Sequence, residues 1–164
     1  MYKRQILGHG KTPLNKNDLS FDDFSDQIIN LIDELKFNKV HLVGFSIGSL
    51  IARNFATRFN DRLASLTLLC SIFNRSDKEQ KIVNDRFEQT KKDHKLTKDA
   101  LKRWFTEDFL NKNPDISNKI FTILENNNMN NFIKIYSLFV KHQDNEKFEN
   151  INTKTLVITG EGDV

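Results

Sequence analysis

Val40-His41-Leu42-Val43-Gly44-Phe45-Ser46-Ile47-Gly48 decides the fold. An apolar run of strand length, Val40 to Val43, meets a tight turn in which Ser46 stands between two glycines. A helical pattern then opens at Ile47 and continues to Phe59. Strand, turn and helix in immediate succession are the setting in which G-x-S-x-G has mechanical meaning. So sharp a turn is expected to hold Ser46 in a strained backbone conformation with its Oγ exposed above the sheet. Side chains at Gly44 and Gly48 are expected to collide with the neighbouring strand and helix. The helix N-terminus behind the turn would place the Ile47 N–H where negative charge can develop on a substrate oxygen.

Working outward, Ser20 to Leu35 carries Phe21, Phe24, Ile28, Leu31, Ile32 and Leu35 on one helical stripe. Ser20 with Asp23 has the capping-box spacing, and Asp22, Asp23 and Asp26 sit where the helix dipole favours negative charge. These carboxylates read as dipole partners on a solvated face rather than a catalytic pair. On the other side, Leu63 to Cys70 is a second apolar run of strand length. Strand, helix, strand implies a right-handed crossover and a parallel sheet, here expected to be buried on both faces. His41, alternating with apolar residues in the first strand, reads as structural. So does His9, in the turn-rich Ile6-Leu7-Gly8-His9-Gly10-Lys11-Thr12-Pro13.

From Ser71 to about Phe148 the character changes to four successive helical patterns. Ser76 with Glu79 caps the first; Thr97 opens the second, which runs through Trp104, Phe105 and Phe109; Pro114 starts the third; the fourth follows Asn126-Asn127-Asn128. Most of their aromatics read as core, with one or two facing a substrate. Thr155 to Thr159 is the last strand, leading into Gly160-Glu161-Gly162-Asp163. Parallel sheets carry functional groups just past the C-terminal ends of their strands.

Composition narrows the function. With 38% hydrophobic and 29% charged residues, the 164-residue chain has the balance of a soluble globular domain. Its net charge of +3 is spread along the chain, with no basic stripe interleaved with aromatics, which argues against nucleic acid as a partner. No apolar run is long enough for a transmembrane helix, so no membrane partner is expected. The single cysteine, Cys70, excludes an internal disulfide framework and suits a reducing, cytoplasmic compartment. It reads as a buried small hydrophobe. Met1-Tyr2-Lys3-Arg4-Gln5 matches one reading frame of a transposon-end adapter, and is expected to be a sequencing remnant outside the fold.

Taken together, these residues resemble the α/β-hydrolase superfamily over nearly the whole chain after Gln5. Gly44-Phe45-Ser46-Ile47-Gly48 resembles its nucleophile elbow, which implies Ser46 as nucleophile and the Ile47 N–H as one oxyanion donor. Leu7 to Thr12 is similar to the family's Gly-x-Gly-x-Ser/Thr loop, though Gln5 stands where the family usually has Asp. Thr155 to Asp163 is similar to the strand and turn that deliver the acid, which implies Asp163. The helical region is similar to the lid of small-molecule esterases and enol-lactonases.

The implied architecture is one partial α/β domain: residues 6–70 as core, 71–148 as a helical lid insertion and 149–164 as core strand with the acid turn. The resemblance implies serine hydrolysis of an ester, lactone or related acyl bond of a small molecule, without metal or organic cofactor. The family's order is Ser, Asp, His, and none of His9, His41, His94 and His142 matches the histidine's position. The oxyanion loop that should precede the chain is also missing. The chain is therefore expected to be a fragment cut at both ends and inactive by itself. The alternative is a non-catalytic α/β-hydrolase-fold protein that binds a small ligand.

Overall fold

In a computed structural model, residues 5–97, 99–144 and 148–161 are described. Three strands, β1 (Val40–Phe45), β2 (Leu63–Leu69) and β3 (Thr155–Ile158), form one sheet in the order β1-β2-β3. Both pairings are parallel. The register brings the strand ends level: Phe45 lies opposite Leu69, and Leu69 opposite Ile158. Two bonds continue the ladders past those ends. Ser46 N–H donates to Leu69 O at 3.0 Å, and Cys70 N–H to Ile158 O at 2.8 Å. Whatever follows each strand is therefore gathered at one edge of the sheet.

Two helices cover one face. α1 (Phe21–Glu34) starts at Ser20, whose N–H and Oγ both donate to Asp23 Oδ2, at 2.7 and 2.9 Å. α2 (Ile47–Arg58) fills the crossover between β1 and β2. Their apolar stripes meet the sheet in a core built on Ile32, Ala52, Phe55, Ala56, Leu63, Leu66 and Leu68. Each large side chain removed from water there is worth about 1.5–3 kcal/mol. Polar contacts tie the two helices along their outer seam. Ser25 Oγ donates to Asn54 Oδ1 at 2.6 Å, Asn54 Nδ2 to Asp22 Oδ1 at 3.0 Å, and Arg58 to Asp26 at 2.8 Å. Asp22 and Asp26 of α1 thus have partners on α2 as well as the helix dipole that the sequence suggested.

The opposite face departs from the expected double burial. Val43 and Phe45 of β1 are 61% and 65% exposed, and Leu156 and Ile158 of β3, in the same rows of the sheet, are exposed too. Near-continuous apolarity promised cover on both sides, but among the described residues helices pack on one side alone. Cys70 is half-buried rather than buried, because it has already left β2 with a φ of 49°.

Between β2 and β3 lie five helices among the described residues rather than four: α3 (Asp77–Asp93), α4 (Asp99–Trp104), α5 (Glu107–Lys112), α6 (Pro114–Glu125) and α7 (Met129–Lys141). The second pattern divides at Thr106, whose side chain accepts from Phe109 N–H at 3.2 Å and starts a new helix. α4 and α6 share a small core of Ala100, Leu101 and Leu124. α7 joins this region to the rest: Ile135 is buried with Phe24 of α1 and Ile51 of α2.

Candidate active site

Ser46 occupies the turn between β1 and α2 with φ 53° and ψ −122°. A non-glycine residue there costs on the order of 1–3 kcal/mol and persists only where its surroundings hold it. Here the holding is explicit. Ser46 N–H is bonded to the end of β2, and Ser46 O accepts from both Ser49 N–H at 2.8 Å and Ser49 Oγ at 2.6 Å. Ser49 is fully buried, so its hydroxyl serves the turn rather than solvent.

The two glycines have different roles. A Cβ on Gly44 would stand 2.2 Å from Gly48 O and 2.8 Å from Ser49 Cα, so the start of α2 can approach β1 only over a bare Cα. A Cβ on Gly48 would meet nothing within 4 Å, which corrects the expected collision there. It is the backbone of Gly48, not the place of its side chain, that makes the close approach. Phe45 points away from the core and is exposed.

Ser46 and Ile47 line a cavity of about 1080 Å³. As the first residue of α2, Ile47 has an N–H without an intrahelical partner, at the positive end of the helix dipole. The Gly8–Thr12 loop forms a second wall. Its glycines take φ values of 75° and 54°, and a Cβ on Gly8 would reach within 2.8 Å of Ile135 Cδ1, so the loop sits tight against α7. The helices supply the far wall, including Trp104, Phe132, Tyr136 and Phe139. Four aromatics line the cavity. Burial pushes the Tyr136 phenol above its ordinary value.

The histidines do not complete a dyad. His9 lines the cavity, but its Nδ1 faces Leu7 O at 3.4 Å. His41 Nδ1 pairs with Ser65 Oγ at 2.7 Å, His94 with Asn130, and His142 lies 3.4 Å from Asp144. Ser46 Oγ has no hydrogen-bond partner among the described residues. Asp163 lies outside the described residues. No group of three or more His, Cys, Asp or Glu side chains suited to a metal occurs among the described residues. No helix among them is long and apolar enough to cross a membrane.

One linkage was missed by sequence reasoning. Arg53, one turn beyond Ser49 on α2, is 2% exposed. It donates to Ile72 O at 2.6 Å and to Asp144 Oδ1 at 2.5 Å, and stacks over the Phe148 ring at 4.9 Å. Asp144 Oδ2 accepts from Asn74 N–H at 2.8 Å. Burial alone would raise the Asp144 carboxyl, but the Arg53 and Asn74 donors outweigh it and hold it below the ordinary carboxylate value. This cluster ties both roots of the helical region to the helix that follows Ser46. The signal was an arginine directly after the apolar run Leu50-Ile51-Ala52.

Strand, strained serine turn and crossover helix define the α/β hydrolase fold, and that family is matched over residues 6–163. The chain belongs to it. Among characterised relatives, it is 28% identical over 158 residues to (E)-2-((N-methylformamido)methylene)succinate hydrolase of Acinetobacter baylyi, covering 95% of this chain and 59% of the relative. It is 24% identical over 158 residues to 3-oxoadipate enol-lactonase 1 of the same organism, covering 95% and 58%. The crystal structure of the enol-lactonase from Burkholderia xenovorans superposes with a TM-score of 0.80 at 22% identity, over 95% of this chain and 60% of that one. The chain thus spans about 59% of the length of the first of these relatives.

Proposed function

We propose that the protein is a serine hydrolase that cleaves an ester, lactone or related acyl bond of a small molecule through an acyl-enzyme intermediate. The observation that carries this reading is the strained backbone of Ser46 on the wall of a cavity of about 1080 Å³. Strain of this kind is retained where presenting the side chain matters. The relatives named as a hydrolase and an enol-lactonase support the same reaction class.

In the proposed cycle, Ser46 Oγ attacks the acyl carbon as a base takes its proton. The Ile47 N–H donates to the oxygen that becomes negatively charged. Collapse forms the Ser46 ester and expels the alcohol or enol, which takes up the proton held by the base. Water, deprotonated by the same base, then releases the acid and restores Ser46. The base is assigned to a histidine outside these 164 residues, oriented by Asp163, because none of the four histidines is hydrogen-bonded to Ser46 Oγ.

The test is turnover of aryl esters and lactones by the whole protein and by its Ser46→Ala variant. Hydrolysis lost in the variant by about 10³-fold or more is the expected result. Equal rates in the two proteins would remove Ser46 from the mechanism. Ligand binding without turnover in either would favour the non-catalytic reading.

A further inference from the structure

The lining of the Ser46 cavity is strongly asymmetric in charge. Lys11, Arg86, Lys95 and Arg103 line the cavity, against the single carboxylate of Asp93. Two of these cations come from different helices: Arg86 of α3 and Arg103 of α4 line the cavity together with Tyr136 of α7. Burial, and then the nearby Arg86 charge, lower the Arg103 guanidinium from its ordinary value. Two like charges on one cavity wall repel, and an anion between them would offset that repulsion. Arg103 donates to the backbone Asp99 O at 3.3 Å, and neither Arg86 nor Arg103 forms a salt bridge with a side-chain carboxylate among the described residues. By contrast, the arginines on the outer seam, Arg58 and Arg62, both have acidic partners.

We propose that Arg86 and Arg103 form a carboxylate-binding subsite in the Ser46 cavity, so that the acyl substrate carries a free carboxylate remote from the bond that is cleaved. This rests on the serine-hydrolase reading and adds the substrate class to it. Guanidinium forks suit planar oxyanions and bind them with charge-assisted hydrogen bonds. The aromatic rings of Trp104, Phe132 and Tyr136 on the same wall suit the apolar body between the carboxylate and the acyl carbon. A substrate anchored at its far end would present its acyl carbon to Ser46 in a fixed orientation.

Trp104, the only tryptophan among these 164 residues, lies beside Arg103 on this wall, and the change in tryptophan fluorescence that is lost on Trp104→Phe reports on the subsite without turnover. The protein carrying Ser46→Ala is titrated with monomethyl glutarate, dimethyl glutarate and methyl phosphate, following Trp104 fluorescence. The expected result is saturable binding of monomethyl glutarate at least about tenfold tighter than of the dimethyl ester, weakened by added salt. Arg103→Gln and Arg86→Gln should each raise its Kd by about tenfold. Lys119→Gln, outside the cavity, should not, and circular dichroism verifies that each variant is folded. Equal binding of the two glutarate esters, unchanged affinity in both arginine variants, or tighter binding of methyl phosphate would overturn the carboxylate subsite. Because binding is measured without Ser46 Oγ, such a result would leave the hydrolase reading standing. Loss of that reading in the turnover assay would likewise leave the binding result intact.

Discussion

Gly44 and Gly48 occupy equivalent places in the motif, yet the structure predicts opposite effects of adding one methyl group. In Gly44→Ala the new Cβ falls 2.2 Å from Gly48 O, 2.7 Å from Gly48 C and 2.8 Å from Ser49 Cα. Carbon atoms normally keep about 3.5 Å from such neighbours, so the gap between β1 and α2 must widen by roughly 1 Å. All three obstacles are backbone, and moving them disturbs the Ser49 bonds that hold Ser46 O at 2.6 and 2.8 Å. Overpacking against backbone that cannot yield costs about 3 kcal/mol or more. For a chain of this size that lowers Tm by roughly 6–12 °C. In Gly48→Ala the Cβ enters open space within α2. Alanine is the better helix former by about 0.5–1 kcal/mol, so Tm should rise by roughly 1–4 °C. Thermal unfolding of both variants, followed by far-ultraviolet circular dichroism, reads the difference. A Gly48→Ala variant as destabilised as Gly44→Ala would refute the asymmetry and the geometry behind it.

Other substitutions separate strain, charge and packing. Ser46→Gly should raise stability by about 1 kcal/mol in urea unfolding, by relieving the positive φ, while removing the proposed nucleophile. Asp144→Asn breaks the buried Arg53–Asp144 ion pair and should cost about 3 kcal/mol; Arg53→Met combined with Asp144→Leu should cost less than that single change, by the same assay. Because the folded Asp144 carboxyl lies below its ordinary value of 3.8, its contribution is fully present above that value and lost as pH falls through the lower folded one. Unfolding measured across acid pH should therefore show a fall in stability in the native protein that is smaller in Asp144→Asn.

Much of the fold was legible because its signals are local. The apolar run into Gly44-Phe45-Ser46, the stripe of α2 and the Ser20 and Ser76 caps each depend on residues within one or two turns of each other. Thr106 was hidden because the apolar residues from Leu101 to Phe109 keep a helical period across the break between α4 and α5. The unequal roles of Gly44 and Gly48 were hidden for another reason. Sequence shows two bare Cα atoms, and only the approach of α2 to β1 shows which of them must be bare. Pairings over long separations were the least legible. Arg53 meets Asp144 across the entire helical region, and Arg86 and Arg103 share one cavity only because α3 and α4 both border it. The candidate site divided in the same way: Ser46 and Ile47 could be named from the motif, while the cationic wall around them required the helices to be in place.

The central claim is that this turn exists to present a reactive serine. The most direct measurement is mass spectrometry of the whole protein after treatment with a fluorophosphonate. One covalent adduct on Ser46, absent from Ser46→Ala and suppressed by a bound ester substrate, is the predicted result. An unmodified Ser46, or an adduct carried by Ser49 or another serine instead, would contradict it.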